Sequence, residues 1–152
     1  MAPRVICFGA AHVDIQARAH DEMVAGTSNP VRVTRRHGGV ARNVAVWLAA
    51  LGCETSLVTR LGRDRDGDDV LAELTALGIE TAGISRSETT TTASYTAALD
   101  PGGELHIGLA DMAIYDEITA TGIDTALKEL GDADAWFLDT NPPEFAITHL
   151  SY

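Results

Sequence analysis

Positive charge is scarce in this chain. Eleven Lys and Arg stand against 22 Asp and Glu, a formal net charge of −11. Most faces of such a molecule would repel a polyanion, which argues against a nucleic-acid or anionic-membrane partner. A small phosphate-bearing ligand held by local amides is not excluded. Long apolar runs are missing too: none approaches the roughly 18 residues that a membrane span needs. The opening "MAPRVICFGA" goes directly into a strand pattern, too short and too early for a secretory signal. There are two cysteines, Cys7 and Cys53, with neither Cys-x-x-Cys nor the Cys/His spacing of a zinc site. Both read as thiols in a reducing compartment, a disulfide being possible but unsupported. These absences predict a cytoplasmic protein. What is present, 152 residues at 45% hydrophobic and 22% charged, suits about one domain with a real core.

The order of patterns predicts an α/β fold. "RVICFGA" (4–10) is a continuous apolar run ending in glycine, the mark of a buried parallel strand. Val44, Trp47, Leu48 and Leu51 recur at helical spacing with Gly52 as the stop, and "TSLVTRLG" (55–62) is the next strand. Val70, Leu71, Leu74 and Leu77 mark a second helix closed by Gly78; a helix over 122–130 and a buried strand "AWFLD" (135–139) follow. Strands alternating with helices imply βαβ units and a parallel sheet covered by helices. Two segments break that rhythm. Residues 15–36 carry polar-alternating strands around "GTSNP", and residues 91–109 carry two more joined by a Pro-Gly-Gly turn, with "TTTT" (89–92) leading into the first of them. They suit a small sheet standing off the main one, either a flap over a ligand or an edge and dimer contact.

Chemistry-bearing residues gather near the first strand. Asp14 lies just past its C-terminal end, where open α/β sheets bind ligands, and a carboxylate can accept hydrogen bonds from two neighbouring hydroxyls. An exposed turn residue is the plain alternative. "RRHGGVARNVAVWLAALG" (35–52) begins a helix at the pair Gly38-Gly39 and puts Asn43 in its first turn. Glycines allow close approach to a backbone, exposed N–H groups attract oxygen-rich ligands, and an amide can grip a hydroxyl. A ligand cradle and a structural turn both fit. "DRDGDD" (64–69) resembles a calcium loop, but Thr75 stands where the twelfth-position Glu should be, so it reads as an acidic helix cap. Histidines 12, 20, 37, 106 and 149 show no ligand spacing, although His12 and His37 flank the cradle. Asp111, Asp116 and Glu117 read as a solvated loop. No metal site is expected.

"GAAHVD", "HGGVARNVAVWLAALG" and "LGRDRDGDDVLAELTALGIET" resemble, in order and spacing, the N-terminal half of the PfkB (ribokinase-like) carbohydrate kinases. The resemblance runs from Arg4 to about Pro143. A dinucleotide-binding reading fails beside it, since "GGVARN" is not G-x-G-x-x-G and follows a polar strand. "GGVARN" and "ALDPGGELHIGLADMAIYDEI" look more like the pseudouridine kinase branch than ribokinase, with Val40 where ribokinases carry a lysine. The resemblance implies a partial ribokinase-like fold, a mostly parallel sheet flanked by helices with a projecting β lid. It implies substrate contacts from Asp14, Gly38, Gly39 and Asn43, with Ala110, Asp111 and Met112 near the ligand. Asn141 aligns where ribokinases place a sugar-contacting Glu. The substrate would be a sugar or nucleoside, with pseudouridine the first guess.

ATP and Mg²⁺ are implied for the full-length enzyme. The family's GAGD-type anion hole and general base lie in its C-terminal half, and nothing in residues 1–152 reads GAGD. The expectation is therefore the substrate-binding half of a kinase, residues 1–152, with no catalytic residue or bound cofactor of its own and inactive alone. A non-catalytic sugar- or nucleoside-binding protein is the alternative, and an unrelated α/β oxidoreductase or ligand-binding domain stands behind it. A sheet stopped partway exposes an edge, so self-association through the lid strands or the bared sheet is expected.

Overall fold

The run Val5–Phe8 is apolar on both faces of a strand, so it needs cover on both. The computed structural model, which describes residues 1–150, supplies that cover. Strand β1 (Arg4–Phe8) lies between β4 (Glu54–Gly62) and β8 (Ala135–Leu138), parallel to both, and β5 (Ile84–Ser87) extends the sheet beyond β4. The order is β5-β4-β1-β8. One face is covered by α1 (Val40–Ala50) and α2 (Arg65–Ala76), through a cluster that includes Cys7, Ala41, Ala45, Leu57, Leu61, Val70 and Leu74. The other carries a 3₁₀ turn (Ala113–Glu117), α3 (Ala120–Leu130) and α4 (Glu144–Leu150), packed through Phe8, Val58, Ile114, Tyr115, Ile123 and Ala146. Burial pushes the Cys7 thiol up to about 12, so it packs as an inert apolar group. Both cysteines are free.

The second sheet is the projecting one. Its order is β3-β2-β6-β7, built from β2 (His12–Ala19), β3 (Val31–Gly38), β6 (Ser94–Leu99) and β7 (Leu105–Asp111). β2 runs antiparallel to β3 and parallel to β6, and β7 returns antiparallel through the Pro-Gly-Gly turn. The predicted class holds: a parallel sheet flanked by helices, with a small β lid.

Four local expectations need correcting. The buried stripe of α1 is Ala41, Arg42 and Ala45, whereas Trp47 is 71% and Leu51 79% exposed. Small residues let the helix lie close to β1 and β4, which pushes the bulky side chains outward. β8 is not a buried strand: it pairs with β1 on one side only, and Trp136 is 41% exposed. Glu117 is no solvated loop residue, because Arg60, Thr89 and Thr90 all donate to it. The "TTTT" stretch stays outside strands, its Thr90 and Thr92 hydroxyls tying the loop to Glu117 and Asp64. The acidic cap is where it was predicted: Asp64 accepts from the Gly67 amide at 2.8 Å. Burial alone would raise its pKa, but hydrogen bonds from Thr92 and Gly67 outweigh that and lower it.

Candidate functional site

The site forms where the two sheets meet. β1 ends at Phe8, and the chain turns through Gly9–Ala11 directly into β2 of the lid. That turn is pinned from below by Tyr115, 1% exposed, whose hydroxyl donates to the Ala11 carbonyl at 2.8 Å and accepts from its amide at 3.0 Å. Burial raises the Tyr115 phenol well above its usual range, helped by the charge of Asp139 against the Ala11 hydrogen bond, so it stays neutral.

Asp14 is the third residue of β2, half-buried, and its Oδ1 lies in hydrogen-bond contact with His12 Nε2 at 3.1 Å. Its carboxylate lies over Gly38, the last residue of β3: a Cβ there would fall 2.1 Å from Asp14 Oδ2. Gly38 is thus a gap filled by the acid. Gly39 caps α1 at φ 101°, and its missing Cβ would meet the Ala10 carbonyl oxygen at 2.3 Å. The position a Cβ would take at Gly39 is thus filled by the protein's own β1–β2 turn, so packing requires a glycine there. The glycine pair brings Asp14, that turn and the helix start together.

Asn43 follows in the first turn of α1, exposed, its amide nitrogen bonded to the Gly39 carbonyl at 2.9 Å. Its side-chain oxygen accepts from Arg42 Nη1 at 3.0 Å. Arg42 is buried at 9% exposure and pairs through Nη2 with Glu73 of α2, which also meets His37 Nδ1 at 2.7 Å. Burial opposes ionisation of Glu73, but the His37 and Arg42 hydrogen bonds and the charge of Arg42 hold its pKa below the ordinary value.

The lid register sorts the remaining candidates. Arg36, Asp14, Tyr95 and Ala110 are paired across the sheet, so Ala110 shares the face of Asp14. Asp111 is paired in the neighbouring row with Ser94 and Val13, on the opposite face, and Met112 follows the strand end. Asn141 is an exposed residue just beyond β8. Its side-chain nitrogen donates to Asp139 Oδ1 at 2.8 Å.

Sequence reasoning missed Asp139. It is 4% exposed, and its Oδ2 accepts from the Ala10 amide at 3.0 Å and the Ala41 amide at 3.4 Å. A carboxylate thus already occupies the start of α1, where the helix dipole favours an anion. The usable signal was its place: like Asp14, it is an acid following the C-terminal end of a parallel strand. Arg42, Glu73 and Tyr115 were also missed, since nothing in their local pattern shows what they touch.

With this geometry in place, the likeness to known proteins becomes decisive. The pattern of the pfkB family carbohydrate kinases matches residues 2–151. The chain belongs to the pfkB family. It is 32% identical to the pseudouridine kinase of Escherichia coli (strain K12) over 116 residues, covering 76% of this chain and 37% of that protein. To the pseudouridine kinase of Arabidopsis thaliana it is 29% identical over 143 residues, covering 93% and 37%. A solved carbohydrate kinase from Agrobacterium tumefaciens superimposes with a TM-score of 0.88 at 31% identity, over 99% of this chain and 49% of that one. Ribokinase from Giardia lamblia, at 17% identity and a TM-score of 0.86, shares the fold. The chain spans about half the length of these solved relatives and 37% of the curated ones.

ATP and Mg²⁺ go with this family's full enzymes. Among the described residues, no three His, Cys, Asp or Glu side chains converge on a metal-sized site. The starts of α1, α2 and α3 are occupied by Asp139, Asp64 and Thr119 respectively. No helix among the described residues is long and apolar enough to cross a membrane.

Proposed function

We propose that residues 1–152 are the sugar- or nucleoside-binding half of an ATP-dependent pfkB-type kinase, presenting a ribose-type hydroxyl for phosphorylation. The observation that carries this reading is the placement of the Asp14 carboxylate, on lid strand β2, over Gly38 at the start of the helix that carries Asn43. Asp14 accepts from ligand hydroxyls, Asn43 and Asn141 add amide contacts, and Ala110 of β7 with Met112 just beyond that strand border the ligand. Asp111, across the lid sheet, contributes through its backbone. Family members named for pseudouridine make that nucleoside the first substrate to try. Two carboxylates at the site, Asp14 and Asp139, favour an unphosphorylated acceptor over a sugar phosphate.

Phosphoryl transfer rests on positioning and on stabilising the transferring group. The described residues offer the first for the acceptor, and the GAGD motif that would supply the second is not in this sequence, so on this reading the chain alone binds without turning over. The test pairs a pseudouridine and ribose titration with an ATP-consumption assay in the cytoplasmic pH range. Saturable binding that Asp14→Ala abolishes, with no ATP consumption, is the expected result. No binding, or binding indifferent to Asp14, overturns the site; ATP turnover overturns the division of labour.

The reading extends to a partner. The lid face away from Asp14 carries Val33, Ala17, Ala98 and Ile107 in one cross-strand row, with Val33 55% and Ile107 50% exposed. Leu109, in the next row, is 61% exposed. A second copy of the chain would cover this apolar face. Sedimentation should show a dimer that Ile107→Asp dissociates; a monomer at all concentrations refutes the contact.

A further inference from the structure

An amide side chain is nearly symmetric in shape, so its neighbours decide which end meets a ligand. At Asn43 the neighbour is Arg42. A guanidinium has five donors and no acceptor, so only the Asn43 oxygen can face it, and it does, 3.0 Å from Nη1. The outward end of Asn43 is then its NH₂ group. At Asn141 the neighbour is Asp139, whose carboxylate has no donor when ionised. Only the Asn141 nitrogen can face it, at 2.8 Å from Oδ1, which leaves the carbonyl oxygen outward.

Both orienting groups are themselves fixed. Arg42 is 9% exposed and tied to Glu73, which also holds His37 at 2.7 Å. Asp139 is 4% exposed and takes the Ala10 amide at 3.0 Å, the Ala41 amide at 3.4 Å and the Asn141 backbone amide at 3.1 Å. Arg42 Nε is buried without a partner, a cost that a residue placed for packing alone would not carry. The two amides sit close to the same helix start, Asn43 within its first turn and Asn141 beside the carboxylate bonded to Ala41.

We propose that Arg42 and Asp139 are positioning residues that set opposite polarity on the two site amides, so that Asn43 donates to one ligand hydroxyl and Asn141 accepts from another. The ligand class this selects is an uncharged polyol ring with adjacent hydroxyls, one used as acceptor and one as donor. This rests on the reading of Asn43 and Asn141 as ligand contacts.

The test follows the side-chain NH₂ signals of ¹⁵N-labelled chain, assigned with Asn43→Asp and Asn141→Asp. Without ligand, the Asn141 NH₂ should exchange at least several-fold more slowly than that of Asn43, and Asp139→Asn should remove the difference. With pseudouridine as probe, the Asn43 NH₂, which donates directly, should shift more than the Asn141 NH₂, which feels the ligand only through its carbonyl. Arg42→Leu should weaken binding about tenfold, and Arg42→Lys, which keeps a donor, should recover most of it with a melting temperature near that of Leu. A ligand-induced shift at Asn141 instead of Asn43, or unchanged affinity in Arg42→Leu, overturns the proposal. If pseudouridine and ribose move no signal, the ligand reading fails, and equal NH₂ exchange at the two residues overturns the orientation independently.

Discussion

Gly38 and Gly39 are adjacent, yet adding a methyl group to each should do different things. At Gly39 the new carbon would lie 2.3 Å from the Ala10 carbonyl oxygen and 2.6 Å from its carbonyl carbon, at φ 101°. Both neighbours are backbone, held by Tyr115 through Ala11 and by Asp139 through the Ala10 amide, so neither can swing aside. A non-glycine residue in that conformation costs about 1–3 kcal/mol, and overpacking adds about 1–3 kcal/mol. The sum, about 2–6 kcal/mol, is a large share of a typical stability of about 5–15 kcal/mol. At Gly38, whose φ is not positive, the three atoms nearest the new carbon all belong to the Asp14 side chain, Oδ2 at 2.1 Å, Cγ at 2.6 Å and Oδ1 at 3.1 Å, and that side chain can rotate. Gly38→Ala should therefore unfold within about 1 kcal/mol of the parent but lose ligand affinity, because the displaced carboxylate no longer faces the ligand. Urea denaturation and a pseudouridine titration of both variants separate the two effects. A Gly39→Ala protein as stable as the parent that had lost binding would refute the reasoning, because its empty space would then belong to the ligand.

Three further outcomes are expected. Asn43→Ala removes one hydrogen bond and strands its partner in the complex, worth about 1–3 kcal/mol, so nucleoside affinity should fall about tenfold to hundredfold; an unchanged Kd would return Asn43 to a structural role. Tyr115→Phe leaves both polar groups of Ala11 buried and unpaired, and should cost about 1–3 kcal/mol for each one that finds no water, read from the urea midpoint; no change would show that the turn is held elsewhere. Glu117 is held at about 2, against an ordinary 4.5, by hydrogen bonds from Thr90, Ser87 and Arg60. A lowered acid stabilises fully above its unfolded value and loses that contribution as pH falls from 4.5 towards 2. Between pH 5 and 2.5 the melting temperature of Glu117→Gln should therefore fall less than that of the parent, and equal slopes would remove Glu117 from the acid response.

The layered part of the fold was legible because its signals are local. Continuous apolar runs marked β1 and β4, Gly52 and Gly78 marked helix ends, and the Pro-Gly-Gly turn marked the β6–β7 hairpin. Errors came where burial depended on a distant neighbour. The stripe Val44, Trp47, Leu48 and Leu51 has helical spacing, but the sheet beneath α1 buries Ala41 and Ala45 fully, takes Val44 and Leu48 in part and leaves Trp47 and Leu51 exposed. "AWFLD" reads as buried because its composition matches β1, and only the pairing pattern shows that it has a neighbour on one side. β5 carries "ISRS", too polar to stand out as a strand.

The site was legible as a set of residues and not as a set of contacts. Asp14, the glycine pair and Asn43 announce themselves by order and spacing, but the atoms that fill the space at each glycine come from elsewhere. Asp14 reaches Gly38 because β2 and β3 pair with His12 opposite Gly38, a register fixed by all eight residues of each strand. Asp139 reaches Ala10 and Ala41 across 129 and 98 residues, and only because β8 lies beside β1. No periodicity encodes such a contact. Position does carry it: in a parallel sheet the C-terminal strand ends converge on one rim, so acids just beyond two neighbouring strands approach each other whatever their sequence separation. On that rule, the Asp of "DTN" beyond β8 had the same claim on the site as the Asp of "HVD" beyond β1. The two carboxylates differ in their surroundings: Asp14 is half-buried and meets His12, whereas the buried Asp139 is spent on backbone amides and Asn141.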